Sequence, residues 1–160
     1  MVIPWMGFSL SQIVNKIEHV SIGADVIVGF PGETEEEFNK TLNFIKDLPL
    51  SYLHVFTYSE RENTKAIKFE PIVTYEERSR RSKILRELSD QKRDNFYKRF
   101  VGQIRPVLVE KSKNGVLFGY TDNYIKARIQ GPISLENTIQ NVFISEVKSG
   151  YVESEVVSIN

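Results

Sequence analysis

The stretch Gly23-Ala24-Asp25-Val26-Ile27-Val28-Gly29-Phe30-Pro31-Gly32-Glu33-Thr34 decides how the first half of the chain folds. Ala24 to Phe30 is a nearly unbroken β-branched and apolar run of strand length, the pattern of a parallel strand buried on both faces. Pro31-Gly32 turns the chain, and Thr34 with Glu37 three residues on forms a capping box that opens a helix. Phe38, Leu42 and Ile45 give that helix one apolar stripe, and Asp47-Leu48-Pro49 ends it. Leu53-His54-Val55-Phe56-Thr57-Tyr58 follows as a second strand. Strand, helix and strand in about 35 residues make a βαβ unit with a right-handed crossover.

Working outward, Ser11–Val20 reads as a short helix with Ile13, Val14 and Ile17 on one face. Glu60–Val73 has no period and reads as a loop. A second capping box, Thr74 with Glu77, opens a long helix that runs to about Phe100, with Ile84, Leu85, Leu88, Phe96 and Phe100 as its apolar positions. After Gly102 the texture changes to five strand-length runs, Ile104–Lys111, Val116–Thr121, Tyr124–Gln130, Val142–Lys148 and Tyr151–Val157. Asn114-Gly115, Asp122-Asn123, Gly131-Pro132 and Ser149-Gly150 supply the turns between them. Five short strands in that span predict a small β-barrel of the OB kind. The fold class is therefore α/β followed by all-β, with residues 1–74 as an α/β region, 75–101 as a connector helix and 102–160 as the barrel. Two parallel strands can neither close a barrel nor fill a doubly wound sheet, so the first 100 residues read as the end of something larger.

The 160 residues are 41% hydrophobic and 26% charged, with 9 Gly and 6 Pro, as in a soluble globular protein. Lys+Arg and Asp+Glu are both 21, but they are unevenly spread. Residues 1–74 carry 6 basic against 10 acidic side chains, 75–100 carry 9 against 5, and 101–160 carry 6 against 6, for nets of −4, +4 and 0. The long helix is thus a basic rod, read either as a solvated face or as a contact for phosphates. Cysteine is absent, which excludes disulfides, thiolate catalysis and cysteine-held zinc or iron–sulfur clusters in this chain. With 2 His, a multi-histidine metal site is not expected either. No apolar run approaches the roughly 18 residues of a membrane span. The opening MVIPWMGFSL is a poor signal peptide, so a cytoplasmic location without membrane contact is expected.

In parallel α/β folds ligands bind at the carboxyl ends of the strands, here Gly29-Phe30-Pro31-Gly32-Glu33 and Thr57-Tyr58-Ser59. The glycines let backbone approach a ligand, while Glu33, Glu35, Glu36 and Glu37 already place carboxylates at the helix N-terminus and disfavour phosphate there. A tight, capped βα turn without a ligand reads equally well. His54 lies between apolar neighbours and reads as a core histidine, His19 as a surface one. No nucleophile–base pattern and no spaced carboxylate pair is present, so no catalytic or metal residue is assigned. In the barrel, Phe118, Tyr120, Tyr124 and Tyr151 lie among Lys111, Lys113, Lys126 and Arg128. Aromatics beside cations are the ingredients of single-stranded RNA binding, though a core with ordinary surface lysines would read similarly.

Three blocks carry a resemblance: Gly23 to Thr34, His54-Val55-Phe56-Thr57-Tyr58-Ser59, and Gly119-Tyr120-Thr121-Asp122-Asn123-Tyr124-Ile125. In order and spacing they resemble the radical-SAM tRNA methylthiotransferases, and the last block is most similar to the MtaB subgroup, which acts on N6-threonylcarbamoyladenosine in tRNA. The resemblance covers roughly residues 11–158 and implies the C-terminal part of such an enzyme. Residues 1–74 would be a fragment of the incomplete parallel (β/α) barrel, 75–101 the connector and 102–160 the TRAM barrel. It also implies S-adenosylmethionine at Gly29, Phe30, Pro31, Gly32, Glu33, Thr57, Tyr58 and Ser59. It implies tRNA at Phe118, Tyr120, Asp122, Asn123, Tyr124, Lys126 and Arg128. The family carries two [4Fe-4S] clusters, one generating a radical from the cofactor to activate adenosine C2 and one supplying sulfur. This chain has neither cysteine set, Met1–Leu10 match nothing in the family, and Glu60–Ala66 replaces a segment usually rich in Pro and Gly.

The resemblance implies a chain that is inactive by itself, a fragment or a decayed gene product. A stand-alone tRNA- or RNA-binding module without catalysis is the alternative. A small-molecule-binding α/β domain is a third reading. The uncovered strand edge and apolar sheet face of the first part predict self-association or partial disorder there, with 102–160 folding independently.

Overall fold

The computed structural model describes residues 4–110, 112 and 116–157. They form α1 (Pro4–Lys16), β1 (Gly23–Val28), α2 (Glu35–Asp47), β2 (Tyr52–Thr57), α3 (Tyr75–Lys98), β3 (Ile104–Val109), β4 (Leu117–Thr121), β5 (Lys126–Gln130), β6 (Ile139–Lys148) and β7 (Tyr151–Val156), with 3₁₀ turns at Lys65–Lys68 and Ile133–Leu135. The chain divides into two compact units, Met1–Lys92 and Arg93–Asn160, so α3 contributes to both.

In the first unit β1 and β2 pair in parallel from Gly23↔Tyr52 to Val28↔Thr57, with α2 as the crossover. The capping threonines act as expected. Thr34 Oγ1 accepts from the Glu37 N–H and Thr74 Oγ1 from the Glu77 N–H, each at 3.2 Å. Strand alternation sends Ala24, Val26, Val28, Leu53 and Val55 to one face, where they pack with Phe38 and Ile45 of α2 and Leu85 and Leu88 of α3. Fully burying a side chain such as Phe38 stabilises by about 1.5–3 kcal/mol. The other face is open, with Ile27 61% and Phe56 52% exposed. The sequence reading of β1 as buried on both faces is therefore corrected: one face is covered by helices and the other by nothing among the described residues.

Parity corrects His54 as well. It shares the open face with Phe56 and is exposed, standing opposite Asp25 with its ring edge-on to Tyr52 at 5.1 Å. The first helix starts at Pro4 and ends at Lys16, instead of spanning Ser11–Val20. The third helix ends at Lys98, before Phe100.

α3 lies along the outer edge of β2. Ser89 Oγ accepts from the Leu53 N–H at 2.8 Å and donates to the Leu53 carbonyl at 3.0 Å, satisfying backbone groups that a further strand would otherwise pair. The basic character of this helix is largely absorbed within the unit. Arg78 pairs with Glu60, Arg80 with Glu35 and Glu77, and Arg81 with Glu33, Glu35 and Glu77. Lys92 donates to the Lys46 and Leu48 carbonyls at the end of α2. The acidic first part and the basic helix are two sides of one contact.

The second unit is a closed five-stranded barrel in the order β3-β4-β5-β7-β6, with β6 returning to β3. All pairs are antiparallel except β5 with β7. Val107, Val109, Leu117, Ala127, Ile129, Val142, Ile144 and Val152 point inward and are buried. Phe96, Tyr97 and Phe100 complete this core from the end of α3 and the residues after it. The sequence placed five strands here; β6 begins three residues earlier than expected, at Ile139. Lys111, Lys113 and the Asn114-Gly115 turn lie outside the described residues.

Candidate functional site

Each unit carries one candidate site. In the first, the carboxyl ends of β1 and β2 meet two loops that α3 holds. Gly29 adopts φ 77° and Gly32 φ 87°, the left-handed region that favours glycine. A Cβ on Gly29 would also run into the Arg78 side chain. The Gly29 N–H donates to Glu33 Oε2 at 2.7 Å, and the same oxygen accepts from Arg81 Nη1 at 2.7 Å. Arg81 Nη1 also donates to the Glu33 carbonyl at 2.9 Å. Only 4% of the Arg81 side chain is exposed.

Arg78 does the same for the second loop, donating to the carbonyls of Val73 at 2.9 Å and Tyr58 at 3.1 Å and to Glu60 Oε1 at 2.5 Å. Its hydrogen bond with Glu60 raises the Arg78 pKa, against the opposing effect of burial. Glu77 is held down to about 2 by its hydrogen bond from Arg80, against desolvation and with further help from Arg81. Glu33, singled out as a ligand contact, is thus a fastening between its own turn and α3.

Phe30, Thr57, Tyr58 and Ser59 come together on a cleft of about 660 Å³ that extends over Ile27 and Phe56. Phe30 meets Tyr58 edge-on at 5.2 Å and lies 6.1 Å from Phe69. Gly29, Pro31, Gly32 and Glu33 do not line the cleft; they form the turn behind it, with Pro31 buried. Arg61, Thr64 and Ala66 do line it, and sequence reasoning missed them because Glu60–Val73 carries no period. The cleft is mainly apolar and aromatic, suited to a flat ring-bearing ligand. Among the described residues no cluster of His, Asp and Glu could hold a metal ion.

In the barrel, the residues between β4 and β5 build a tight turn. Tyr124 takes φ 64°, and its N–H donates to the Thr121 carbonyl at 3.1 Å. Thr121 Oγ1 donates to buried Asn123 Oδ1 at 2.6 Å and accepts from the Ile125 N–H at 2.9 Å. This buries Ile125 and throws the Tyr124 ring out to 73% exposure. Tyr120 lies 6.1 Å from Tyr124, Phe118 packs edge-on against Tyr151 at 5.8 Å, and Lys126 Nζ sits 4.9 Å above the Phe118 ring. Leu108 and Ile139, paired across β3 and β6, floor a groove of about 730 Å³ with Tyr120 and Tyr124 at its wall.

Of the seven barrel residues proposed from sequence, Tyr120, Asp122 and Tyr124 line the groove, and Phe118 and Lys126 pack together close by on β4 and β5. Asn123 is internal to the turn, Asp122 pairs with Arg105 at 2.6 Å, and Arg128 pairs with Glu153 at 3.0 Å. Burial pushes the Tyr97 phenol up; its oxygen accepts from the Lys126 N–H at 3.2 Å and fixes the start of β5. Leu108 and Ile139 escaped notice because apolar residues on an outward strand face look like core in a sequence. The face offers stacking rings beside a cation, a chemistry that suits unpaired bases and phosphate.

Residues 98–157 match the TRAM domain. Among curated proteins, the chain is 42% identical over 112 residues to threonylcarbamoyladenosine tRNA methylthiotransferase MtaB of Aquifex aeolicus, covering 69% of this chain and 26% of that protein. The MtaB of Bacillus subtilis is 36% identical over 91% of this chain and 33% of its own length. The tRNA-2-methylthio-N(6)-dimethylallyladenosine synthase of Endomicrobium trichonymphae is 32% identical over 92% of this chain and 35% of its own length. The chain spans about a quarter to a third of the relatives it matches. Among solved structures, a multidomain protein with nucleic acid binding domains from Streptococcus pneumoniae overlaps at a TM-score of 0.32 and 11% identity, covering 40% of this chain and 28% of its own; this overlap carries no argument.

Proposed function

Because the chain holds a TRAM domain and matches the C-terminal region of the tRNA methylthiotransferases, we propose that it serves as the tRNA-holding part of such an enzyme. The substrate we propose is N6-threonylcarbamoyladenosine in tRNA, to whose C2 the whole enzyme would add a methylthio group. The supporting observation is the barrel face, where the exposed Tyr124 ring stands with half-buried Tyr120, Phe118 and Lys126. Asp122, Asn123 and Arg128 support this face through the turn and strand they fasten.

The first unit we read as the last two strands of a parallel (β/α) barrel, residues 1–74, with 75–101 as connector and 102–160 as the TRAM barrel. The open face bearing Ile27 and Phe56 is then the barrel's inner wall. The cleft at Phe30, Thr57, Tyr58 and Ser59 fits the adenine end of S-adenosylmethionine, because its walls are rings and hydroxyl-bearing residues. Gly29, Pro31, Gly32 and Glu33 would hold those walls in place from behind. S-adenosylmethionine when bound supplies the family's radical chemistry. The residues of this chain do not fit an iron–sulfur cluster, since it offers no thiolate.

Disrupting the coding region and digesting bulk tRNA to nucleosides tests the proposal. Loss of the methylthio derivative of threonylcarbamoyladenosine, with the unthiolated nucleoside accumulating, is the expected result. An unchanged nucleoside profile overturns the enzymatic reading. A second reading, an RNA-binding module without catalysis, is favoured by the barrel's closed, self-contained core. It predicts tRNA binding by the chain together with that unchanged profile.

A further inference from the structure

Thr57, Tyr58 and Ser59 also line a second, polar pocket of about 410 Å³, bounded by the first half of α3. Its walls include Thr57 and Ser59 from the end of β2, and Arg78, Ser79 and Arg86 from the helix. Among the described residues, the hydroxyls of Thr57, Ser59 and Ser79 and the Arg86 guanidinium make no side-chain hydrogen bond or ion pair. Ser82 lies on the same helix face, three residues from Ser79 and four from Arg86. It is 4% exposed, and its buried hydroxyl lacks a hydrogen-bond partner.

Unpaired buried hydroxyls are uncommon, because each forfeits the hydrogen bond it had with water. Here Ser82 shares a helix face with Ser79 and Arg86, and the pocket those two line holds three further hydroxyls and an unpaired cation. Charge points the same way. The one carboxylate on the pocket, Glu60, is already engaged by Arg78, so Arg86 leaves the pocket with an uncompensated positive charge. Ser89, two turns further along, shows the alternative: its hydroxyl caps the β2 edge at Leu53.

We propose that this pocket binds a phosphate group, held by the Arg86 guanidinium and the hydroxyls of Ser79, Thr57 and Ser59. Arginine matches a tetrahedral oxyanion through two parallel N–H donors, and the hydroxyls supply further donors around it. The site adjoins the cofactor cleft, with which it shares Thr57, Tyr58 and Ser59, and adds Arg78, Ser79 and Arg86 from the helix. The phosphate is either a free ion or a backbone phosphodiester of RNA; the second source rests on the tRNA reading above.

The test uses the whole chain. Amide spectra are recorded while inorganic phosphate is titrated at constant ionic strength, for the natural chain and for Arg86→Gln and Ser79→Ala. Both positions are exposed, so neither variant removes core packing. Saturable shifts at residues 57–59, 79 and 86, weakened about tenfold or more in Arg86→Gln, are expected for a charge-assisted contact. A parallel tRNA titration separates the sources. A salt slope reduced by about 1 in Arg86→Gln marks an RNA phosphate, and an unchanged slope marks a free ion. Absence of saturable shifts in the natural chain, with tRNA binding indifferent to Arg86, overturns the proposal. If no tRNA binds at all, the phosphate shifts alone decide it, and only the tRNA reading falls.

Discussion

The Arg81 guanidinium meets the Glu33 carboxylate at 2.7 Å, 48 residues apart in sequence, where the turn after β1 enters α2. Through it the helix that follows β2 fixes the loop that follows β1. Arg81 is 4% and Glu33 15% exposed, so each would be left nearly buried without the other. Removing one partner of such a pair costs about 3–5 kcal/mol. Arg81→Met is therefore expected to lower urea stability by about that amount, and to speed hydrogen exchange at the Gly29 amide. A cost below about 0.5 kcal/mol, the scale of an exposed ion pair, would show that the contact does not persist in solution.

Acid should loosen the same cluster. The Glu77 pKa is about 2 in the folded chain, against an ordinary value of 4.5. The unfolded chain therefore takes up this proton first. The stabilisation is complete above about 4.5 and is lost as pH falls through about 2. Stability measured from pH 6 to 2 should decline, and Glu77→Gln should flatten the part of that decline below 4.5. A decline of equal steepness in the variant would remove Glu77 from the explanation.

Ser89 guards a strand edge. Ser89→Ala leaves the Leu53 N–H and carbonyl without their hydroxyl partner in a buried place, at a cost of about 1–3 kcal/mol. Denaturant unfolding measures it, and exchange at the Leu53 amide localises it. Unchanged protection at Leu53 would mean that water or backbone replaces the hydroxyl.

How much of this the sequence disclosed depends on the kind of signal. Thr34 and Thr74 announced both helix starts, because a capping hydroxyl acts within one turn of chain. The strand texture after Gly102 announced the barrel, since turn residues punctuate it. His54 was misread because alternation shows that strand neighbours differ in facing, not which face a second layer covers. The basic helix was read as solvated or phosphate-facing because Arg78, Arg80 and Arg81 find most of their carboxylates 18 to 48 residues away. At the barrel site, aromatic and basic residue types were legible. The separation of Tyr124, thrown outward at φ 64°, from Asn123, folded inward, came only with the turn's geometry.

The turn also supplies a clean test of the barrel face. Tyr124 occupies a left-handed position that glycine adopts without strain, so Tyr124→Gly should leave barrel stability unchanged or raise it slightly. Asn123→Ala, by contrast, should destabilise by about 1–3 kcal/mol, because Thr121 loses a buried partner. Thermal unfolding of the two variants should separate them; equal loss would mean that the Tyr124 ring is itself part of the fold.

The most direct measurement is the affinity of the chain for tRNA, natural against Tyr124→Gly, by fluorescence anisotropy from low to physiological salt. Stacking on one aromatic ring contributes about 1–3 kcal/mol per base. An affinity lower by about 5- to 150-fold in the variant, with the salt slope preserved, is the predicted result. Equal affinity in the two chains, or no tRNA binding at any salt concentration, would contradict a tRNA-holding role for this face.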